Sequence, residues 1–189
     1  LCGIVPPMVT PLLGRDQLEV AGLERLLERV IGGGVHGVFI LGTTGEAPTL
    51  SPEEKVRMFR LVLGAARGRG AVLAGSGDNE TATSVSLSRE AAEAGVDGLL
   101  LVTPYYNKPS QEGLYRHFRA VADAVDLPIL VYNIVGRTAI NVETDTLARI
   151  ARAKGHVQRG ELAAKGELIS SAVAIVGELA GSLHREAAP

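Results

Sequence analysis

Val38-Phe39-Ile40-Leu41 runs directly into Gly42-Thr43-Thr44-Gly45-Glu46. Four apolar residues in a row, β-branched and aromatic among them, suit a strand buried on both faces, as a parallel sheet requires. The glycines that follow permit a tight turn and a close approach of backbone to ligand. The adjacent Thr hydroxyls and freed backbone N–H groups can hold a small carboxylate. An ordinary strand-to-helix turn uses the same residue types for geometry and local hydrogen bonds, so the stretch by itself leaves both readings open.

The flanking chain alternates strand and helix. Residues 4–9 read as a first strand made irregular by Pro6-Pro7. Leu18, Leu23, Leu26, Leu27, Val30 and Ile31 then recur at helical spacing until Gly32-Gly33-Gly34 stops them. Beyond the second strand, residues 35–41, Ser51-Pro52-Glu53-Glu54 places an N-cap, a proline at the first helical position and a glutamate three residues after the cap. A third strand is expected at residues 72–74, followed by an Ala-rich helix that Gly95 ends. Residues 99–102 form a fourth strand, Ser110 caps a helix with Leu114, Phe118, Val121 and Val125 inside, and residues 128–132 form a fifth strand. Leu147, Ile150 and Ala151 mark a fifth helix. Residues 34–41 and 95–102 match in pattern, room for two strand-helix units between their starts. Units of that kind join parallel strands by right-handed crossovers, in a barrel or in an open sheet.

Composition narrows the function classes. With 189 residues, 46% hydrophobic and 21% charged, the chain can bury a core and fits one domain. A formal charge of -2 supplies no field for nucleic acid. No apolar run reaches the roughly 18 residues of a membrane span, and the first residues lack a signal-like pattern. A soluble, cytoplasmic protein is expected. Cys2 is the single cysteine, and His36, His117, His156 and His184 are scattered without ligand-like spacing, so neither a disulfide nor a metal site is expected.

The polar residues separate barrel from open sheet. Thr43 and Thr44 follow the second strand, Tyr105 and Tyr106 the fourth, and Tyr132 closes the fifth with Arg137 beyond it. Barrel enzymes draw chemistry from the C-terminal ends of many strands, whereas an open sheet concentrates it at one switch point. The distribution favours a (βα)8 barrel, and no Gly-x-Gly-x-x-Gly motif at the first turn supports a dinucleotide fold.

Gly-Thr-Thr-Gly-Glu at 42–46, Thr-Pro-Tyr-Tyr-Asn-Lys-Pro-Ser-Gln-Glu-Gly at 103–113 and Tyr-Asn-Ile-Val-Gly-Arg-Thr at 132–138 together resemble the dihydrodipicolinate synthase and N-acetylneuraminate lyase family. The resemblance covers roughly residues 3–153 and is nearest the synthase branch. It implies a (βα)8 barrel that binds pyruvate as a Schiff base on a lysine, needs no cofactor, and condenses pyruvate with aspartate semialdehyde on the route to lysine. Carried over by motif, Tyr132 is the proton relay, working through Thr43, and Tyr106 completes the hydroxyl chain from a neighbouring subunit. A phenol both donates and accepts, as a shuttle must. Thr44 holds the pyruvate carboxylate, Arg137 guides the second substrate's carboxylate, and Tyr105 belongs to a subunit contact. A guanidinium fork suits that task.

Departures from the family pattern bear on activity. Val135 stands where the family usually has proline, which is expected to loosen the loop before Arg137. The family's lysine should fall near Gly160, which has no amine; Lys154 and Lys165 are the nearby amines, and neither flank promises the burial that a Schiff-base lysine needs. Five or six parallel strands can be counted where a barrel has eight. The expected architecture is therefore an incomplete barrel over residues 1–153, with residues 154–189 as a divergent helical tail, its Leu162, Ile169, Val173, Val176 and Leu183 on one face packing on the barrel. The chain is expected to persist as a homo-oligomer, with its last helix covering the open seam. Two further readings stand beside the synthase: an inactive remnant that binds a carboxylate or a partner subunit, and another pyruvate-dependent aldolase such as a neuraminate lyase. Around the motif at 42–46, Ala47, Pro48, Pro52 and Thr83 leave Asn79 and Tyr105 as the well-placed polar groups, with Lys55 adding a like charge, so lysine feedback is expected to be weak or absent.

Overall fold

The computed structural model describes residues 3–14 and 17–153. Local signals build its helices where the pattern demands them. Ser51 accepts a hydrogen bond from the Glu54 amide while the Glu54 carboxylate accepts one from the Ser51 amide, a reciprocal cap that opens α2, Pro52–Ala66. Ser110 caps α4, Gln111–Ala124, through the Gly113 amide. Gly95, at φ 96°, ends α3, Thr81–Ala94, in the left-handed conformation that glycine adopts without cost. Before these come α1, Val20–Gly32, and a small antiparallel pair, β1 (Leu12–Leu13) with β2 (Gln17–Leu18). Leu18 therefore lies in β2 and not in the first helix, and its side chain still reaches the core.

The main sheet has the order β3 (Gly37–Ile40), β4 (Ala71–Gly75), β5 (Gly98–Val102), β6 (Ile129–Tyr132), all parallel. Short α5, Val135–Thr138, and α6, Thr144–Ala153, follow β6. The expected first strand at residues 4–9 is reduced to an isolated parallel bridge of Pro7 to Phe39. Met8 N donates to Phe39 O at 2.7 Å and Phe39 N to Pro6 O at 3.0 Å, but two consecutive prolines have no N–H to extend the ladder. The segment fills the position of a first barrel strand without its regularity, so the described residues hold four regular parallel strands and this irregular one. The expected helical tail, and Lys154 and Lys165 with it, lies outside the described residues.

Side-chain alternation shows where the helices sit. Val38, Ile40, Val72, Ala74 and Leu99 pack with Leu23 and Leu27 of α1, Phe59 and Val62 of α2 and Leu87 and Ala91 of α3; Leu101, Ile129 and Val131 pack with Leu114, Phe118 and Val121 of α4. All four helices thus cover one face of the sheet, and consecutive strands are spatial neighbours. A doubly wound sheet would carry helices on both faces. The architecture is α/β of the (βα)8-barrel type, incomplete over the described residues, with Phe39, Leu100, Val102, Leu130 and Tyr132 turned toward the inner face and half-buried there.

Candidate active site

Because the four strands are parallel, their C-terminal ends share one rim. Gly42-Thr43-Thr44 leaves β3, Ser76 leaves β4, Thr103 leaves β5 and Asn133 leaves β6. The register Val102 opposite Tyr132 puts the two loop starts side by side, and Thr103 N donates to Tyr132 O at 3.1 Å. The loop that carries Thr43 and Thr44 and the end of β6 with Tyr132 therefore lie at the same end of the sheet.

The loop after β3 turns sharply. Leu41 adopts φ 57° and Glu46 φ 52°, both left-handed. Gly45 N and Ala47 N donate to Gly42 O, at 3.1 and 3.4 Å, closing the turn before a 3₁₀ segment, Ala47–Thr49. Thr43 and Thr44 are exposed at its tip, and among the described residues their hydroxyls hold no protein partner. Tyr132, on the inner face at the end of β6, likewise has a hydroxyl without a hydrogen bond among the described residues. These three groups are left available to a ligand.

The loop after β5 separates its two tyrosines. Tyr105 is half-buried and its hydroxyl donates to Asp78 Oδ2 at 3.4 Å; burial, reinforced by the Asp78 charge, raises its pKa. Within the chain, then, Tyr105 ties two loops together, in addition to the subunit contact expected of it. Tyr106 sits at φ 72° and is 90% exposed, projecting away from its own chain. Asn107 Nδ2 donates to Asn79 O at 3.0 Å and fixes the base of this projection.

Arg137 occupies the last turn of α5 and is exposed, with no ion pair among the described residues. Hydrogen bonds close the turn that carries it. Arg137 N and Thr138 N donate to Ile134 O, and the buried Thr138 hydroxyl bonds to the same carbonyl at 3.1 Å. A set of side chains that sequence reading missed holds the rest. Asn133 donates to Asn141 Oδ1 at 2.7 Å and accepts from Val142 N at 3.2 Å, while Gln111 donates to Asn141 O at 2.8 Å and accepts from Glu143 N at 3.1 Å. The first turn of α4 is thereby clamped to the segment that carries Arg137. Asn133 was visible beside Tyr132, but nothing in the spacing pairs it with a residue eight positions on.

His117 is a second group that periodicity could not flag. It is buried on α4, with Nδ1 2.9 Å from the Thr81 hydroxyl and Nε2 without a hydrogen-bond partner among the described residues. Burial lowers its pKa, with the Asp78 charge opposing. It lies on the helix side of the sheet, where it serves packing.

Comparison with known proteins is specific. The model of the dihydrodipicolinate synthetase family matches residues 1–158. The 4-hydroxy-tetrahydrodipicolinate synthase of Symbiobacterium thermophilum is 52% identical over 149 residues, covering 79% of this chain and 51% of that protein. The solved synthase of Methylacidiphilum fumariolicum SolV superposes with a TM-score of 0.80 at 43% identity, over 83% of this chain and 52% of that one. The chloride-inhibited synthase of Acinetobacter baumannii, solved in complex with pyruvate, gives a TM-score of 0.80 at 39% identity, over 90% and 60%. The chain spans about half the length of the curated relatives it matches.

Proposed function

The chain belongs to the dihydrodipicolinate synthetase family, and on that premise we propose that it supplies the pyruvate-handling part of a 4-hydroxy-tetrahydrodipicolinate synthase acting in the cytoplasm. The observation that supports this reading is the shared rim, where the hydroxyls of Thr43, Thr44 and Tyr132 have no partner among the described residues. Thr44 receives the pyruvate carboxylate with its hydroxyl and backbone N–H. A lysine amine condenses with the ketone to an imine, releasing the carbonyl oxygen as water, and loss of a methyl proton gives the enamine whose carbon attacks the aldehyde of aspartate semialdehyde. Tyr132 and Thr43 carry the protons, since adjacent hydroxyls can donate and accept in turn. Arg137, held on the clamped segment, guides the carboxylate of the second substrate. Tyr106, turned out of its own chain, reaches the rim of a neighbouring copy in a homo-oligomer.

A specific observation favours a second reading, a remnant that binds a carboxylate without reacting: the position that motif spacing gives the lysine falls near Gly160. Incubation with pyruvate and borohydride, followed by peptide mass mapping, separates the two. A lysine carrying the reduced pyruvate adduct supports the synthase; binding of pyruvate with every lysine unmodified supports the remnant. Lysine itself is expected to bind weakly or not at all, because Tyr105 is already engaged with Asp78 and Asn79 O with Asn107. Calorimetric titration with lysine checks that.

A further inference from the structure

Gly75-Ser76-Gly77 leaves β4 between the two loops that carry the proposed chemistry, and there is no room for a side chain at either glycine. A Cβ on Gly75 would stand 2.0 Å from the carbonyl oxygen of Leu41 and 2.7 Å from its carbonyl carbon. A Cβ on Gly77 would stand 2.6 Å from Val102 N. In both cases the obstacle is backbone, which cannot swing aside as the end of a side chain can. Ser76 between them is fully buried and accepts a hydrogen bond from the Ser88 hydroxyl at 2.8 Å, so the segment is tied to α3 and cannot withdraw from its neighbours.

Leu41 is the residue that turns β3 into the Thr43–Thr44 loop, and it does so at φ 57° while 3% exposed. A non-glycine residue stays in that region only when its surroundings over-determine it. The bare Cα of Gly75 lets the Leu41 carbonyl occupy the space that a Cβ would take. At the other end of the loop, the Thr10 hydroxyl donates to Gly45 O at 2.7 Å, and a Cβ on Gly45 would lie 3.0 Å from Met8 O. The loop is thus seated at its first residue on Gly75 and tethered at its last by Thr10.

We propose that Gly75 and Thr10 are positioning residues that fix the Gly42-Thr43-Thr44-Gly45 loop and thereby set its affinity for a small carboxylate without touching it. This rests on the carboxylate reading of the loop. The test uses the full chain, its Gly75→Ala and Thr10→Val variants, and Gly64→Ala as a control, since a Cβ there on α2 meets open space. Amide exchange at residues 45–47 and calorimetric titration with sodium pyruvate are measured beside thermal melts. Gly75→Ala is expected to speed exchange at residues 45–47 and to raise the pyruvate Kd, each by at least about 10-fold, because displacement of an orienting group by an ångström is enough. Thr10→Val should do the same by roughly 3- to 10-fold, the loss of about one hydrogen bond, and Gly64→Ala should change neither. Exchange and affinity at wild-type levels in both Gly75→Ala and Thr10→Val would overturn the proposal. If Gly75→Ala fails to fold, Thr10→Val decides alone. If the unmodified chain binds no pyruvate, the carboxylate reading falls, and the exchange rates still decide whether these residues hold the loop.

Discussion

Leu101 and Leu100 are neighbours in β5, yet Leu101 is 0% exposed in the cluster with Leu114 and Phe118, while Leu100 is half-buried on the opposite face. The same contrast runs across the sheet. Val38, Ile40, Val72, Ala74 and Leu99 are sealed beneath α1, α2 and α3, whereas Phe39, Val102, Leu130 and Tyr132 remain partly open. One face of the sheet holds the described fold together, and the other leads up to the rim where the hydroxyls of Thr43, Thr44 and Tyr132 have no partner among the described residues. The two-residue period of a strand sends the closed core to one face and the half-buried side chains to the other.

That division can be broken first at β5. Leu101→Ala should cost about 2–5 kcal/mol, since it opens a cavity in a closed core. Leu100→Ala on the inner face should cost roughly 1–2 kcal/mol, as less area leaves contact. Chemical denaturation of the two variants measures the difference, and equal losses would show that the inner face is covered as tightly as the outer. Ser51→Ala removes one half of the reciprocal cap of α2, in the outer layer, and is expected to cost about 1 kcal/mol by the same method.

His117 gives the outer face a pH signature. Its folded pKa lies below the ordinary value of 6.5, so the unfolded chain takes up the proton first. The contribution of the neutral imidazole is full above about pH 6.5 and is lost as pH falls through the depressed folded value. His117→Gln should therefore lose less stability between pH 7 and pH 5 than the unmodified chain, as measured by thermal melts over that range. The smallest expected effect is on the inner face: Tyr132→Phe should change stability by less than about 0.5 kcal/mol, because its hydroxyl makes no hydrogen bond among the described residues. In the borohydride experiment the same variant should slow adduct formation by at least about 100-fold if Tyr132 relays the proton; an unchanged rate would remove it from that role.

Much of this was legible in the residues. The apolar runs at 38–41 and 99–102, the Ser51 and Ser110 caps and the stop at Gly95 each became the element expected of them, because hydrophobic period and capping act over a few residues. The motifs at 42–46, 103–113 and 132–138 follow β3, β5 and β6, and the ends of those strands lie on one side of the sheet because parallel strands joined by crossover helices must end together. The first strand was misjudged because Pro6-Pro7 allows the extended path along β3 and denies it the N–H groups of a ladder.

Residue pattern alone was enough for the alternation of strand and helix from residue 35 to residue 132, for the family and for the residue types offered to a ligand, all of which depend on neighbours in the chain. It took the folded chain to show which face of the sheet the helices cover, that Tyr105 turns inward to Asp78 while Tyr106 turns out, and that Gly75 lies under Leu41 and Thr10 against Gly45. Those facts join residues tens of positions apart through close backbone packing and single hydrogen bonds, and such contacts leave no period for a sequence to display.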